Sequence, residues 1–463
     1  MKQYTSLYFV GAGGIGMSAL VRYFLAKGYK VAGYDRTQSP LTTELKTEGL
    51  EIVYEESVES IPDYCRNPET TLVVYTPAIP ASHAGLVYFR EHSFRVVKRA
   101  ELLGLITQSS KGLCFAGTHG KTTTSSMAAH IFHESPIGCN AFLGGILRNY
   151  NSNLILSEQS PFTVIEADEY DRSFHWLHPY MAVVTATDPD HLDIYGTEEA
   201  YLESFARFTS LIQPGGCLIM KKGIKLVPSV KENVKIYTYS ARDGGDFHAG
   251  NIRIGDGTIV FDFVMPEGSV ADIELGVPVE INIENAVAAM AIAWLNGVSG
   301  DDMRRAMASF KGAKRRFEFW VKRPDRVMID DYAHHPDELK ASIRSVKALY
   351  PGRRLSVIFQ PHLYSRTRDF APQFAEALSL ADEVFLLDIY PARELPIPGV
   401  TSKLIFDKIT CTAHDKTGCQ YHKAQDKFDN AHLPFPLIPR ILYDDAQSDI
   451  LPCCAQPQAQ RWT

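Results

Sequence analysis

The sequence lacks four features that would each indicate a particular class of protein. No run of eighteen or more uncharged apolar residues occurs, so we expect no membrane-spanning helix. The chain has 47 lysines and arginines against 54 aspartates and glutamates, and this net charge of −7 argues against a nucleic-acid-binding surface. Its eight cysteines are scattered without zinc-binding spacing, which indicates reduced thiols in a cytoplasmic protein. Residues 1–6 run directly into a strand-like segment and do not resemble a signal peptide.

The chain instead contains a long alternation of strand-like and helix-like segments. Its 463 residues correspond to about three domains at ~150 residues each. The alternation predicts an α/β fold with parallel sheets and crossover helices. We place the domains at residues 1–107, 108–312 and 313–463, and we predict a Rossmann-like N-terminal domain, a central phosphate-loop ATPase domain and a Rossmann-like C-terminal domain.

The most informative segment is a glycine-containing loop between an apolar run at residues 113–116 and a helix-like stretch. Its residues are Gly117, Thr118, His119, Gly120, Lys121, Thr122, Thr123 and Thr124. The spacing G-x-x-G-K-T is two residues tighter than that of the common phosphate loop, so the match is to a variant. A strand, a glycine turn and a helix N-terminus form a cradle for phosphate. We favour a nucleotide site over an ordinary glycine-rich loop.

Within this cradle two side chains have predicted roles. Lys121 would reach the β- and γ-phosphates of ATP, and the Thr122 hydroxyl would hold Mg²⁺. An acidic run at residues 166–171 follows the next apolar strand, with four carboxylates in six residues. A solvated acidic loop is the alternative, but beside a phosphate loop the pattern favours a Mg²⁺ ligand, and Glu166 is nearest the strand end. His191, flanked by three aspartates after a further strand, is a second candidate metal ligand.

The N-terminal segment carries a G-x-G-x-x-G turn directly after a strand. The candidate contacts to a pyrophosphate are the glycines of this turn, Gly11, Gly13, Gly14 and Gly16. Asp35 ends the second strand about 20 positions later, where such folds place a ribose contact, and Thr76 follows another strand. The motif fits NAD, FAD or a nucleotide-sugar diphosphate, and it does not choose among them.

Polar residues also follow apolar strands in the last third of the chain. Asp331, Tyr332 and His334 follow one strand, and Arg366 and Arg368 follow another. His334 with the two arginines could fix a small carboxylate, because guanidinium offers a planar bidentate fork. Earlier in the chain, Asn285 opens an alanine-rich stretch, either as part of a helix cap or as a contact to a nucleotide. After about residue 410 the periodicity fails, so we predict no strand-and-helix pair closing the third sheet.

The motifs together resemble the Mur ligase family of peptidoglycan synthesis over residues 1 to about 405. The segments that carry the resemblance are, in order, GAGGIGMSAL, GTHGKTTT, EADEYDRSF, DPDHLDIYG, NIEN, KRRFE, DDYAHHP and QPHLYSRTR. The resemblance implies a UDP-sugar-binding domain, a central ATP-binding domain and an amino-acid-binding domain. It also implies an ATP- and Mg²⁺-dependent ligase, monomeric or homodimeric, that joins L-alanine to the lactyl carboxylate of UDP-N-acetylmuramate.

The resemblance also assigns residues. It implies that Asn285 and Arg316 contact ATP together with the phosphate loop, and that Thr122, Glu166 and His191 bind Mg²⁺. It places around alanine and the nucleotide the residues Asp331, Tyr332, His334, Arg366 and Arg368. Of these, Lys121, His334 and Arg366 are the candidate catalytic residues.

Two departures from the family pattern leave alternatives open. Leu363 stands where many relatives carry an arginine, and the closing glycine-rich strand and helix are absent after about residue 410. One alternative is the sister ligase that attaches a recycled murein tripeptide to the same sugar nucleotide. Another is a UDP-sugar-binding protein whose altered tail has abolished catalysis. An NAD-dependent oxidoreductase is a remote option, because it leaves the phosphate loop unexplained.

Overall fold

The computed structural model describes residues 3–76, 78–189, 192–391, 394–409, 419–420 and 440–444. These residues form two compact units. The first comprises residues up to 253, 260–276 and 281–314, and the second comprises residues 254–259, 277–280 and those from 315 onward. No helix of the described part combines the length and the apolar character needed to cross a membrane.

The first sheet has five parallel strands in the order β3-β2-β1-β4-β5. They are β1 (Ser6–Val10), β2 (Lys30–Tyr34), β3 (Glu51–Val53), β4 (Thr71–Tyr75) and β5 (Arg95–Lys98). The associated helices are α1 (Ile15–Ala26), α2 (Pro40–Thr47), α3 (Ala84–Glu91) and α4 (Arg99–Thr107). Strand β1 is buried along its whole length, as expected for an apolar strand at the centre of a parallel sheet. The predicted Rossmann-like arrangement is confirmed.

The second sheet has ten strands in the order β15-β14-β13-β12-β11-β10-β6-β9-β7-β8. Its first five are β6 (Lys111–Ala116), β7 (Asn140–Leu147), β8 (Ser152–Ile155), β9 (Phe162–Glu166) and β10 (Pro179–Val184). The others are β11 (Cys217–Lys221), β12 (Lys235–Ser240), β13 (Phe247–Gly255), β14 (Thr258–Met265) and β15 (Gly268–Glu274). Strand β6 pairs in parallel with β9 and β10, so the loops after these three strands share one edge.

The helices of this region are mostly apolar where they pack. They are α5 (Lys121–His133), α6 (Leu192–Tyr195), α7 (Glu198–Ser210), α8 (Ile281–Leu295) and α9 (Gly300–Ser309). Helix α8 is buried from Ala286 to Ala293, as its alanine-rich sequence predicts. One continuous buried cluster contains Phe9 and Val74 of the first sheet and Phe142 and Val184 of the second. A continuous core explains why both sheets belong to one compact unit.

The third sheet has six strands in the order β16-β17-β21-β18-β19-β20. They are β16 (Glu318–Lys322), β17 (Arg326–Asp330), β18 (Arg354–Phe359), β19 (Glu383–Leu386), β20 (Cys419–Gln420) and β21 (Arg440–Asp444). The helices are α10 (Pro336–Leu349), α11 (Tyr364–Leu378) and α12 (Lys403–Phe406). The α/β class is confirmed for this region too.

The expectation that no strand-and-helix pair closes the third sheet is wrong for the strand, because residues 440–444 form β21 within this sheet. Strand β21 lies between β17 and β18 and pairs antiparallel with both, so the sheet is mixed rather than purely parallel. The sequence at 440–444 is short and lies between stretches rich in proline and polar residues, so its periodicity is too brief to detect. Its pairing with two existing strands supplies the hydrogen bonds that fix it as a strand.

Candidate functional site

The phosphate-loop candidate has the geometry that its sequence predicts. The loop joins β6 to α5, whose first residue is Lys121. Gly117 and Gly120 have φ angles of 140° and 82°, a region that favours glycine. A Cβ at Gly117 would lie only 2.2 Å from Thr185 Oγ1 and one at Gly120 only 2.8 Å from Asn285 Oδ1. Glycine is therefore required at both positions by conformation and by close packing.

Other loop residues hold this conformation. The Thr118 N–H donates to the Ala186 carbonyl at 3.1 Å, and its hydroxyl donates to the Asp188 carbonyl at 2.7 Å. The Thr185 hydroxyl donates to the carbonyl of His119. The loop is thus anchored to the segment that follows the neighbouring strand β10, which leaves the N-terminus of α5 in a defined position.

Lys121 is held by a carboxylate that the sequence analysis did not single out. Its ammonium donates to the Gly117 carbonyl at 2.6 Å and to Glu169 Oε1 at 2.8 Å. Glu169 is almost fully buried, and this burial raises the pKa of its carboxyl despite the nearby Lys121 charge. Glu169 belongs to the acidic run at residues 166–171, but the sequence alone does not show which carboxylate of this run points inward.

Thr122 and Glu166 are brought together, as predicted for two ligands of one cation. The Thr122 hydroxyl donates to Glu166 Oε1 at 3.0 Å, and the Gly144 N–H donates to Glu166 Oε2 at 3.1 Å. A hydroxyl and a carboxylate are hard oxygen donors, which fits Mg²⁺ held by two protein groups together with phosphate oxygens and water. Within the described ranges, no group of three or more His, Cys, Asp or Glu side chains could hold a metal by itself. The third predicted ligand, His191, lies outside the described residues.

Asn285 contacts the phosphate-loop helix. Its Oδ1 accepts a hydrogen bond from Thr124 Oγ1 at 3.1 Å, and its Nδ2 donates to Asn282 Oδ1 at 3.1 Å. Helix α8 begins at Ile281, so Asn285 lies in the second turn and the helix-cap interpretation is wrong. Thr123 belongs to the first turn of α5, and the roles of both residues toward a nucleotide stay predictions.

The N-terminal glycine turn is braced by Asp35. The Gly11 N–H donates to the Tyr34 carbonyl at 2.8 Å, and the Gly13 N–H donates to Asp35 Oδ2 at 2.7 Å. A Cβ at Gly13 would lie 2.9 Å from the same carboxylate oxygen. Asp35 thus shapes the turn, and its predicted contact to a ribose stays a prediction.

A cavity of about 330 Å³ joins this turn to the metal-ligand candidates. Its lining includes Gly14, Gly16, Thr76, Arg99, Glu166 and Asp168. Arg99 is the one cationic side chain among the described residues that line it, and its guanidinium lies 3.5 Å from Asp168 Oδ2. A Cβ at Gly16 would lie 2.4 Å from Arg99 Nη1. Arg99 is not among the residues predicted from the sequence, although a basic residue directly after β5 was a usable signal.

In the second unit, the structure associates His334 and Arg366 with a common neighbour, His362. The rings of His334 and His362 have centroids 6.2 Å apart, and Arg366 Nη1 lies 3.4 Å from His362 Nδ1. His334 Nδ1 lies 2.9 Å from the Tyr332 carbonyl and 3.2 Å from Glu338 Oε2. These contacts orient the imidazole.

The other predicted residues of the second unit have different surroundings. Removal from water raises the pKa of the Asp331 carboxyl, and the positive charge of Arg316 acts in the opposite direction. Arg368 is paired with Asp369 at 2.7 Å. Arg366 and Arg368 are two residues apart on α11, about 200° around the helix, so the structure does not bring the two arginines together on one face.

Comparisons with known proteins agree with this architecture. Three family models match: the Mur ligase family catalytic domain at residues 6–111, the Mur ligase middle domain at 115–293 and the Mur ligase glutamate ligase domain at 315–431. The UDP-N-acetylmuramate–L-alanine ligase of Parabacteroides distasonis is 64% identical over 426 residues, which is 92% of each chain. The enzyme of the same name from Flavobacterium johnsoniae is 48% identical over 89% of each chain.

Solved structures show the same fold. The crystal structure of the UDP-N-acetylmuramate-alanine ligase from Thermotoga maritima matches with a TM-score of 0.73 and 25% identity, over 90% of each chain. A murein peptide ligase from Psychrobacter arcticus matches with a TM-score of 0.60 and 22% identity, over 90% of this chain and 95% of that one. The chain therefore belongs to the Mur ligase family of ATP-dependent ligases.

Proposed function

We propose that this protein joins L-alanine to the lactyl carboxylate of UDP-N-acetylmuramate, with ATP, through an acyl phosphate, in peptidoglycan precursor synthesis. The observation that carries the proposal is the cavity in which the glycine turn, Arg99 and Glu166 meet. A sugar nucleotide that contacts the turn through its diphosphate can present its carboxylate near the metal-ligand candidates. The relatives with 64% and 48% identity carry the name of this reaction.

The nucleotide and its metal are assigned to the N-terminus of α5. Lys121 binds the ATP phosphates, with the loop residues Gly117, Thr118, His119, Gly120 and Thr123 around them, and Asn285 and Arg316 are further nucleotide contacts. Thr122 and Glu166 would hold Mg²⁺, and the ion would supply positive charge that offsets the phosphate charge. Lys121 must leave Glu169 to reach a phosphate, since its ammonium is paired with that carboxylate in the structure.

The sugar nucleotide is assigned to the glycine turn and its surroundings. The assigned contacts to the diphosphate are Gly11, Gly13, Gly14 and Gly16, with Asp35 and Thr76 beside them. Of these, Gly14, Gly16 and Thr76 line the cavity together with Arg99, whose guanidinium would supply a bidentate cation. In the first step a lactyl oxygen attacks the γ-phosphorus, the bond from that phosphorus to the β–γ bridging oxygen breaks, and ADP leaves. The product is an acyl phosphate on the sugar nucleotide.

L-Alanine is assigned to the second unit, with Arg366 as the partner of its carboxylate and Asp331 and Tyr332 nearby. We assign Arg366 rather than Arg368, because Arg368 pairs with Asp369 on another face of α11. The neutral amine attacks the acyl carbon, the bond from carbon to the phosphate oxygen breaks, and inorganic phosphate leaves. His334 takes up the amine proton at Nε2, because the Tyr332 carbonyl accepts a hydrogen bond from Nδ1–H.

We place the reaction in the cytoplasm. Cys65, Cys114, Cys139 and Cys217 are buried free thiols, which suits a reducing compartment.

The test is ADP formation by the purified full chain with Mg²⁺ and ATP. We expect ADP only when UDP-N-acetylmuramate and L-alanine are both present, with UDP-muramoyl-alanine as product by mass spectrometry. Activity with a murein tripeptide and none with alanine would establish the sister ligase instead. Binding of the sugar nucleotide without ADP formation under any acceptor would establish a non-catalytic binding protein.

A further inference from the structure

The carboxylate of Glu166 is fixed at both oxygens by two different elements. Oε1 accepts from the Thr122 hydroxyl on α5 at 3.0 Å, and Oε2 accepts from the Gly144 backbone N–H on β7 at 3.1 Å. Strand β7 pairs in parallel with β9, the strand that ends at Glu166. The metal-ligand candidate is therefore held from its own sheet as well as from the phosphate loop.

The glycine at position 144 is required by space rather than by backbone conformation. Gly144 is not among the residues with positive φ, so an L-residue could adopt its backbone angles. A Cβ there would, however, lie 2.2 Å from Glu166 Oε2 and 2.8 Å from its carboxyl carbon. Gly144 also lines the cavity that holds Arg99 and Asp168. Any side chain at this position competes directly with the carboxylate.

We propose that Gly144 is a positioning residue for the metal site. Its N–H and its missing side chain together set the distance of the Glu166 carboxylate from Thr122. This inference rests on the proposed function, in which Thr122 and Glu166 hold the Mg²⁺ that accompanies ATP. Gly144 acts through Glu166, because it has no side chain that could bind the metal itself.

The consequence is that Gly144→Ala should have a specific defect in metal binding. The added methyl group displaces the Glu166 carboxylate and separates it from Thr122. Loss of a group that orients a metal ligand typically weakens metal binding by roughly 10- to 100-fold. The matched control is Gly145→Ala on the same strand, where a Cβ would lie 3.3 Å from the Ala313 Cβ and 3.6 Å from Thr122 Cγ2 and so needs only a small shift.

The experiment measures Mn²⁺ binding by electron paramagnetic resonance, with the full chain and a non-hydrolysable ATP analogue. We expect Gly144→Ala to bind Mn²⁺ roughly 10- to 100-fold more weakly than the wild type, and Gly145→Ala to stay close to wild type. Mn²⁺ binding by Gly144→Ala within about twofold of wild type overturns the inference. A wild-type chain that binds no Mn²⁺ with the nucleotide overturns the proposed function instead, so the two failures are distinguishable.

A double variant separates positioning from general damage. Glu166→Asp withdraws the carboxylate by one methylene group, which makes room for a methyl group at position 144. We expect Gly144→Ala to have much less effect on Mn²⁺ binding and on Tm in this background than in the wild type. If Gly144→Ala alone does not fold, folding of the double variant supports the inference. Equal effects in both backgrounds, or failure of both variants to fold, overturn it.

Discussion

The Lys121–Glu169 pair shows how a residue proposed to bind phosphate can also have a structural role. The Lys121 side chain is 14% exposed and that of Glu169 only 2%, so the carboxylate depends on this ammonium for its counter-charge. The carbonyl of Glu169 accepts a hydrogen bond from the Tyr195 hydroxyl at 2.5 Å, which fixes the backbone there. Replacing the lysine therefore affects more than phosphate binding.

Lys121→Ala should abolish ADP formation and also lower the free energy of unfolding by about 1–3 kcal/mol, because a buried acceptor loses its donor. Adding Glu169→Gln removes the buried charge, so we expect the double variant to regain most of the stability and none of the activity. Urea unfolding and ADP release measure the two effects separately. Normal turnover by Lys121→Ala would refute the assigned role of the lysine.

Arg99→Ala should weaken binding of UDP-N-acetylmuramate by roughly 10- to 100-fold, as expected for loss of charge-assisted hydrogen bonds. The effect should be visible by calorimetry without ATP, and the KM for ATP should change little. Arg95→Ala is the control, since Arg95 is more exposed and pairs with Glu101. Equal losses of affinity in both variants would show that Arg99 acts only through general surface charge.

At the scale of elements, helix α5 is held by a buried histidine as well as by apolar packing. His130 is 1% exposed, with Nδ1 2.6 Å from the Tyr150 hydroxyl and Nε2 2.9 Å from the Ser309 hydroxyl at the end of α9. Burial lowers the pKa of His130 to about 4 from its ordinary value of 6.5. The helix that carries the phosphate loop is thus anchored by a neutral imidazole.

This lowered pKa predicts a pH dependence of stability. Between pH 6.5 and about 4 the unfolded chain binds a proton at this residue that the folded chain does not bind. The free energy of unfolding should therefore fall as the pH falls through this window, by about 3 kcal/mol in total. Above pH 6.5, titration of His130 should not change the stability. Unfolding in urea at pH 7 and pH 5 should show about 2 kcal/mol of this loss, since pH 5 lies part-way through the window.

The corresponding variant is His130→Gln, whose amide keeps one donor and one acceptor and does not titrate. We expect it to lose much less stability between pH 7 and pH 5 than the wild type does. His92→Gln, at an exposed histidine, should behave like the wild type. A wild-type pH dependence in His130→Gln would assign the effect to other groups.

At the scale of the whole chain, the late strand β21 is the feature with the largest structural consequence. It lies between β17 and β18 and pairs with residues 326–330 of one and residues 354–358 of the other. Strands β17 and β18 do not pair with each other, so β21 is the strand that connects them in the sheet. The tail that departs from the family pattern therefore contributes a central strand.

A chain ending at Ile409 should lose part of the amide protection in β17 and β18, since each strand loses one of its two ladder partners and keeps only β16 or β19. Hydrogen exchange measured by mass spectrometry tests this, and protection of β6 and β10 in the other sheet is the internal control. Alanine-dependent ADP formation should be lost at the same time. Unchanged protection of β18 in the shortened chain would show that β21 is dispensable.

The sequence by itself determined the class of fold and the location of the candidate phosphate loop. Both depend on local pattern: apolar strands followed by glycine turns specify βα units, and G-T-H-G-K-T-T-T after such a strand specifies an anion-binding helix start. The proximity of Glu166, at the end of β9, to Lys121 and Thr122, at the start of the helix after β6, followed from the same reasoning, because the carboxyl ends of adjacent parallel strands share one edge of a sheet.

Only the tertiary structure decided which side chains meet. Glu169, Arg99 and Gly144 have ordinary local sequence. Glu169 matters because it is buried, and Arg99 because its charge lines a cavity. Gly144 matters because a Cβ there would lie only 2.2 Å from the Glu166 carboxylate. The same holds for β21, whose strand conformation comes from the hydrogen bonds of two partners distant in sequence. Contacts between residues that are distant in sequence produce no periodic pattern in a single chain. Such contacts can therefore be identified only in the folded structure.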